Sequence, residues 1–353
     1  MSSDGTNTGA KPGLTYRDAG VDIDAQDEAL DRIKGFLKST RTPGVLADLG
    51  SFGGLFRPDL TGLKEPVLVS SSDGIGTKLK VAFDSGIHNT VGRDLVNHCV
   101  DDILVQGATP LFFMDYVATG VLTPGVLAAV VEGVAAGCRE AGCALLGGET
   151  AEMPGFYGPG EYDVAGFIVG IVDRERIIDG SGIGHGDVIL ALPSAGLHTN
   201  GYSLARKIFF EVAGLKVDEQ VPGLGGTAGE VLLAEHRCYL GALRRPIDEG
   251  LVSGLAHITG GGLTDNIPRI LPEGTAAEIQ TGSWEVPALF RFLQETGNVE
   301  RSEMFRTFNM GAGMVVISPS AKIARIESLL KEAGEPCWRI GSIVEGDREV
   351  RYV

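Results

Sequence analysis

The sequence predicts an α/β protein of two domains, on three observations. Its 353 residues correspond to about two domains of roughly 150 to 200 residues each. Apolar segments of strand length alternate with segments of helix length, which is typical of α/β layers. The 52 glycines are about twice the roughly 7% usual in proteins, and they form short clusters between the apolar segments. Such clusters indicate turns and close approaches of the backbone to other groups.

Strands and helices alternate through the first half of the chain. Gly107 is expected to end one helix, and Thr123 with Pro124 to begin the next, because these residue types favour helix ends and starts. Periodicity alone leaves open whether the strands pair in parallel. The predicted strands are 66–70, 110–118, 144–146 and 164–172, and the predicted helices are 92–106 and 124–141.

A polar, glycine-rich stretch at 173–186 suits a connection between domains. We therefore predict a disordered tail over 1–15, an N-terminal domain over 16–174 and a C-terminal domain over 175–353. Within the second domain, the pattern predicts strands 188–192 and 310–317, helices 202–212 and 321–333, and a glycine-rich loop at 260–262.

Composition limits the classes of function. The net charge of −16 disfavours binding to nucleic acid or to an anionic membrane, so an anionic substrate would need bound metal ions and a few placed cations. The five cysteines, an odd number without a C-x-x-C pair, indicate neither a disulfide framework nor a thiolate zinc site. No apolar run reaches the roughly 18 residues of a membrane span, and the first residues lack a signal-peptide core, so we expect a cytoplasmic protein.

Two strand ends have groups that suit phosphate and magnesium. Segment 70–78 offers a carboxylate at Asp73, glycines whose N–H groups can face phosphate oxygens, and a cation at Lys78. Its spacing differs from a Walker A loop, and a plain strand-to-helix turn explains it equally well. Glu149 and Glu152 follow two glycines at the end of another strand, where α/β proteins tend to bind ligands. A turn with exposed acids is the alternative.

The helix predicted over 92–106 places Asp94, His98 and the pair Asp101 and Asp102 on one face. These carboxylates repel one another unless a cation lies nearby, and magnesium takes oxygen ligands. A solvated acidic face is the alternative interpretation.

Two loops of the second half carry further polar groups. His198 stands beside Asn200 and Ser203 just before a predicted helix, an arrangement that suits anion binding and proton transfer, although a loop histidine can also be incidental. The glycines at 260–262 permit close approach to a phosphate, and a flexible loop is the alternative.

These motifs, in the order in which they occur along the chain, resemble those of the aminoimidazole ribonucleotide synthetase family. The resemblance runs from about Tyr16 to the C-terminus. The segments that carry it are YRDAGVDIDA (16–25), EPVLVSSSDGIGTKLK (65–80), LVQGATPLFFMDYVATG (104–120), LLGGETAEMPGFY (145–157), HTNGYSLARKI (198–208), HITGGGLTDNIPR (257–269) and MFRTFNMGAGM (304–314).

The resemblance implies a ligase of purine biosynthesis. Such an enzyme closes the ring of formylglycinamidine ribonucleotide with ATP, forming a C–N bond and giving aminoimidazole ribonucleotide, ADP and phosphate. Two α/β domains are expected, the first with a strand-built interface for a homodimer. The cofactors expected are ATP and Mg²⁺, and the partner is a small phosphoribosyl substrate.

Roles for individual residues follow from the resemblance and the motifs. Whether His198 transfers a proton or stabilises charge stays open. The expected ligands of magnesium are Asp73, Asp102 and Glu149. The expected ligands of ATP are Lys34, Asp73, Gly74, Gly76, Thr77, Lys78, Gly147 and Gly148, and for Lys34 a solvated helix lysine is an equal alternative. The expected catalytic residues are His198, Asn200 and Lys78, and the expected substrate-binding residues are Ser203, His257, Gly260, Gly261, Gly262 and Asn266.

Two positions depart from the family, and three relatives compete with it. Asp101 stands where the family usually has Asn, and Leu197 where proline is common.

Selenophosphate synthetase would be expected to have a reactive cysteine near its N-terminus, but no cysteine precedes Cys99. Formylglycinamidine synthase is larger or works with a glutaminase subunit. Thiamine monophosphate kinase and a non-catalytic nucleotide sensor remain alternatives.

Overall fold

A computed structural model describes residues 13–46 and 52–353. A disordered tail was predicted over residues 1–15. Residues 1–12 of this tail lie outside the described part of the chain. In the described part, no helix is both long and apolar enough to cross a membrane.

The first half builds a four-stranded sheet in the order β1-β4-β2-β3. Pairing is antiparallel except between β2 and β3, which settles the question that periodicity left open. The elements are α1 (Ile23–Ser39), β1 (Pro66–Gly74), α2 (Lys78–Ser85), α3 (Asn89–Leu104), β2 (Thr109–Thr119), α4 (Pro124–Ala141), β3 (Ala144–Glu152) and β4 (Tyr162–Asp173).

One face of this sheet is covered by α3 and α4, and the other carries exposed apolar side chains. Phe113 and Ile168 are buried beneath the helices, whereas Met114 and Phe167, each one residue away, are exposed and paired with each other. The two helices cross closely because Gly133 contacts α3 directly: a Cβ there would lie 1.8 Å from the carbonyl oxygen of Asn89.

The second half builds a six-stranded sheet in the order β10-β7-β9-β5-β8-β6, after a connection over residues 174–187. All pairs are antiparallel except β10 with β7. The elements are β5 (Val188–Pro193), α5 (Tyr202–Arg206), α6 (Ala228–Leu232), α7 (Leu240–Asp248), β6 (Gly254–His257), α8 (Gly262–Asn266), β7 (Thr275–Ile279), α9 (Ala288–Gly297), α10 (Arg301–Thr307), β8 (Ala312–Ser318), α11 (Ser320–Glu332), β9 (Trp338–Glu345) and β10 (Val350–Tyr352).

Two predicted elements differ in the structure. The helix predicted over 202–212 is α-helical only through α5, and Lys207–Val212 continues it as a π-helix. The strand predicted from 310 begins at Ala312, because Met310 (φ 52°) and Gly311 (φ 93°) have left-handed backbone conformations that an extended strand does not adopt. The mixed α/β fold class is confirmed.

The helix α3 is buried on nearly all sides rather than amphipathic. Segment 234–239 of the second half packs against it, and Asp94 and Asp101 are both fully buried there. A solvated acidic face is therefore wrong for these two aspartates. The two halves of the chain meet along this helix.

Candidate active site

Lys78 and Asp94 form a buried ion pair beneath the site. Lys78 Nζ lies 2.6 Å from Asp94 Oδ2, and both side chains have no exposed surface. The same ammonium donates hydrogen bonds to the carbonyl oxygens of His198 (3.1 Å) and Ala234 (2.8 Å), while Asp94 Oδ1 accepts the N–H of His236 at 2.6 Å. In this conformation all three N–H groups of Lys78 are engaged inside the protein. The expectation that Lys78 contacts ATP phosphates is not supported by this geometry.

Asp73 and Asp102 meet at the end of β1, each held by a histidine. Asp73 Oδ2 lies 2.6 Å from His98 Nε2, and Asp102 Oδ1 lies 2.9 Å from His257 Nδ1. Asp102 Oδ2 also accepts a hydrogen bond from Ser71 Oγ at 2.9 Å. Burial raises the pKa of both carboxyl groups, but the hydrogen bonds from His98 and His257 outweigh it and leave each pKa below its ordinary value.

These two carboxylates form a candidate cation site. One ligand atom from each of Asp73, His98 and Asp102 lies within 4.8 Å of the others, and the two aspartates remain partly exposed. Magnesium prefers oxygen ligands and keeps several waters, so two carboxylates open to solvent suit it.

Glu149, the third expected magnesium ligand, lies elsewhere. Asp73 pairs with Gly166, Gly166 with Asp115 and Asp115 with Gly148, so β3 is three strand spacings from β1, roughly 14 Å. Glu149 pairs with Tyr116, one residue beyond Asp115, and therefore lies on the opposite face of the sheet from Asp73. The three predicted ligands are not brought together within one chain.

Four histidines cluster behind the two carboxylates. His236 Nε2 lies 3.0 Å from His257 Nε2, and the ring of His198 stacks on that of His236 with centroids 4.0 Å apart. His98 Nδ1 lies 2.5 Å from the hydroxyl of Thr199. Burial lowers the pKa of His198 and His236 well below the usual value, so both rings are neutral at physiological pH.

His198 itself does not face the solvent. Its side chain is buried, its backbone has a φ of 62°, and its Nε2 accepts the N–H of Ala195 at 3.2 Å. Nδ1 has no hydrogen-bond partner among the residues that the structure describes. The ring therefore holds the loop 195–200 in a left-handed turn rather than opening toward a substrate in this conformation.

The predicted substrate loops converge where the two halves meet. Thr77 Oγ1 lies 3.2 Å from Ser203 Oγ, and a Cβ on Gly260 would lie 3.3 Å from Asn200 Oδ1. These side chains join the loop after β1 to the two loops of the second half. The structure thus places Thr77, which was predicted to bind ATP, beside Ser203, which was predicted to bind the substrate.

The remaining predicted residues of these loops shape the backbone. Asn266 Nδ2 donates to the carbonyl oxygens of Gly260 and Gly262, at 3.2 and 2.9 Å. A Cβ on Gly262 would lie 2.1 Å from the carbonyl oxygen of Phe305, so this glycine is required by packing. Gly261 has a φ of 99°, Gly76 has a φ of 63°, and Gly74 ends β1.

A separate cleft of about 710 Å³ opens between α1 and the β3 edge of the first sheet. Its volume lies in the range of small-molecule sites. Lys34, Lys38 and Arg41 line one wall, and Gly147, Gly148 and Glu149 line the other, with apolar side chains between them.

Asp115 lies on the cleft wall beside Gly148. A Cβ on Gly148 would lie 2.2 Å from Asp115 Oδ1, so the glycine makes room for the carboxyl group. Burial raises the pKa of Asp115 to about 7.

Asp115 was not predicted from the sequence, although a single carboxylate inside the apolar strand PLFFMDYVA is a usable signal. His236, which stands in no recognisable motif, was not predicted either.

The fold and the site define an AIR synthase related protein. The family model described as "AIR synthase related protein, N-terminal domain" matches residues 60–172, and the corresponding C-terminal domain model matches residues 184–353. The hydrogenase maturation protein HypE, solved in complex with ATP, has the same fold, with a TM-score of 0.66 at 20% identity over 95% of this chain and 93% of that one.

Relatives narrow the class to one family. The chain is 54% identical over 334 residues to phosphoribosylformylglycinamidine cyclo-ligase of Citrifermentans bemidjiense, covering 95% of this chain and 96% of the relative. It is 52% identical to the cyclo-ligase of Trichlorobacter lovleyi over the same length and with the same coverage. The chain belongs to the phosphoribosylformylglycinamidine cyclo-ligase family. Aminoimidazole ribonucleotide synthetase is another name for this enzyme, so the resemblance found in the sequence is confirmed.

We expect Lys78→Met to destabilise the protein strongly, because it leaves the Asp94 carboxylate buried without its counter-charge. Removing one partner of a buried pair costs about 3–5 kcal/mol. Urea unfolding followed by circular dichroism measures the change. The control Lys34→Met removes an exposed ammonium and should shift the free energy of unfolding by at most about 0.5 kcal/mol. Equal stability of the two variants would contradict the buried pair.

Proposed function

We propose that this chain converts formylglycinamidine ribonucleotide and ATP to aminoimidazole ribonucleotide, ADP and phosphate, a ring closure of purine biosynthesis. The observation that carries the proposal is the identity of about half of all residues to cyclo-ligases over nearly the whole chain. The arrangement of the site is compatible with this reaction, since carboxylates, hydroxyls and glycine loops converge between the two halves.

The reaction needs an activated oxygen. The formyl amide oxygen attacks the γ-phosphorus of ATP, ADP leaves, and an iminophosphate forms. The amidine nitrogen then attacks the activated carbon, the C–O bond breaks to release phosphate, and a proton is lost as the five-membered ring closes. Phosphoryl transfer of this kind depends on positioning and on neutralising charge.

We place the ATP nucleoside in the cleft beside α1. The ammonium groups of Lys34 and Lys38 supply positive charge in an otherwise acidic protein, and Gly147 and Gly148 leave their backbone accessible along the opposite wall. The ammonium of Lys34 lies 2.6 Å from Asp31 Oδ1 at the surface and can exchange that partner for a phosphate. Gly74, Gly76 and Thr77 are left for the phosphate end or the substrate.

Magnesium is assigned to Asp73 and Asp102, which suit it by their oxygen ligands and partial exposure. Bound there, the ion would offset the charge of transferring phosphate. Thr77, Asn200 and Ser203 would contact the substrate, while His198 acts on it indirectly by holding the loop that presents Asn200. Lys78 acts in the same indirect way, through its hydrogen bond to the carbonyl oxygen of His198.

A homodimer would form through the outer face of the first sheet. The outer face of the first sheet exposes Leu68, Met114 and Phe167, which suits packing against a second copy of the same face. Glu149 lies on this face as well. A dimer formed through this face would place Glu149 at the interface, on the opposite side of the sheet from Asp73. With five free cysteines, the enzyme is suited to the cytoplasm.

One assay tests the reaction. Purified protein, Mg²⁺, ATP and formylglycinamidine ribonucleotide should yield ADP and an aromatic amine in equal amounts, and ATP should persist when the ribonucleotide is omitted. Asp102→Asn should lower kcat by about 10²-fold because a magnesium ligand loses its charge. The control Asp347→Asn, at an exposed position of the second half, should leave kcat unchanged. ATP loss without the ribonucleotide, or turnover only with thiamine monophosphate, would reject the cyclo-ligase.

Phe167→Glu should convert the dimer to a monomer, because the charge falls on the apolar face of the first sheet. Light scattering after size-exclusion chromatography gives the mass, and the same fractions are assayed. Val212→Glu, at an exposed position of the second half, is the matched control and should remain dimeric and active. A wild-type monomer that turns over normally would contradict the proposed assembly.

A further inference from the structure

The buried histidines behind the proposed magnesium site form a second group of possible metal ligands. One ring nitrogen from each of His98, His236 and His257 lies within 4.8 Å of the others, and all three residues are buried. Imidazole nitrogens favour zinc, copper, nickel and iron, whereas magnesium favours oxygen. The two neighbouring groups therefore have different metal preferences.

We propose that His98, His236 and His257 bind a divalent transition-metal ion such as Zn²⁺, at a site distinct from the magnesium site. Such binding does not depend on the proposed ring closure.

The spacing of the nitrogens suits such an ion. Zn–N bonds of about 2.0–2.1 Å in a tetrahedral site place ligand nitrogens about 3.3 Å apart. His236 Nε2 and His257 Nε2 are 3.0 Å apart and share one hydrogen bond. Because His257 Nδ1 donates to Asp102, the shared proton belongs to His236. An ion would replace this proton and would widen the contact by only a few tenths of an ångström.

Carboxylates already orient two of the three rings. Asp102 Oδ1 lies 2.9 Å from His257 Nδ1, and Asp73 Oδ2 lies 2.6 Å from His98 Nε2. Metal-bound histidines usually donate their second ring N–H to such a carboxylate, which fixes the ring and strengthens the ligand. Both rings are therefore oriented before any ion arrives. To bind through Nδ1, His98 would exchange its contact with Thr199 Oγ1, 2.5 Å away, for the ion.

Asp101 supplies an independent indication of a ligand. Its side chain is fully buried, and its Oδ2 has no hydrogen-bond partner within residues 13–46 and 52–353. That oxygen lies 3.6 Å from His236 Nε2, whereas Oδ1 accepts the N–H of Tyr239 at 2.9 Å. A buried, unpartnered carboxylate oxygen is costly, and a cation bound at His236 would give it a partner as a fourth ligand.

Cobalt(II) is the direct probe, because nitrogen ligands in a tetrahedral site give it strong visible absorption. Full-length protein stripped with EDTA is titrated with Co²⁺ in excess Mg²⁺, without ATP or substrate. We expect one Co²⁺ per chain, displaced by Zn²⁺. His236→Gln and His98→Gln should each weaken binding at least about tenfold, since even losing an outer-shell partner costs 10–100-fold.

His185→Gln, which removes an exposed histidine outside the cluster, is the matched control and should bind as the wild type does. Circular dichroism verifies that each variant is folded. Wild-type protein without the visible band overturns the proposal whatever the variants do. So does a folded His236→Gln variant that binds Co²⁺ as the wild type does, or an equal loss in His185→Gln.

Discussion

The structure depends on the burial of charge along α3. Asp94 is fully enclosed, and a lone carboxylate in that position would be strongly destabilising. It is tolerated because Lys78 approaches from the end of β1 and the N–H of His236 approaches from the second half. One carboxylate thus fixes three parts of the chain relative to one another.

The position of the site follows from this constraint. With Lys78 held by Asp94, its remaining hydrogen bonds hold the backbone at His198 and Ala234. The loop that carries Asn200 is thereby placed against the loop after β1, where Thr77 meets Ser203. The buried pair is too deep to touch a substrate, yet it sets the distance between the groups that can. Lys78 therefore has a structural role, although its sequence motif resembles a phosphate-binding loop.

The sequence predicted the parts whose pattern is local. The strands β1, β2, β4 and β5 were predicted from their apolar runs, and α4 has the predicted bounds of 124 and 141. The left-handed backbone at Met310 and the π-helix that follows α5 were not predicted, because no sequence pattern indicated them. Asp73 and Asp102, predicted to share a magnesium site, lie close together, whereas Glu149 was assigned to the same site without knowledge of strand order. His236 and the partner of Lys78 depend on contacts between residues far apart in the chain.

A double-mutant cycle on Lys78 and Asp94 tests this account most directly. The free energies of unfolding of Lys78→Met, Asp94→Leu and the double variant are compared with that of the wild type. We predict a coupling energy of about 2–3 kcal/mol, with the double variant more stable than either single one, because replacing both charges removes the uncompensated burial. Additive effects, within about 0.5 kcal/mol, would show that the two charges do not depend on each other and would contradict the account.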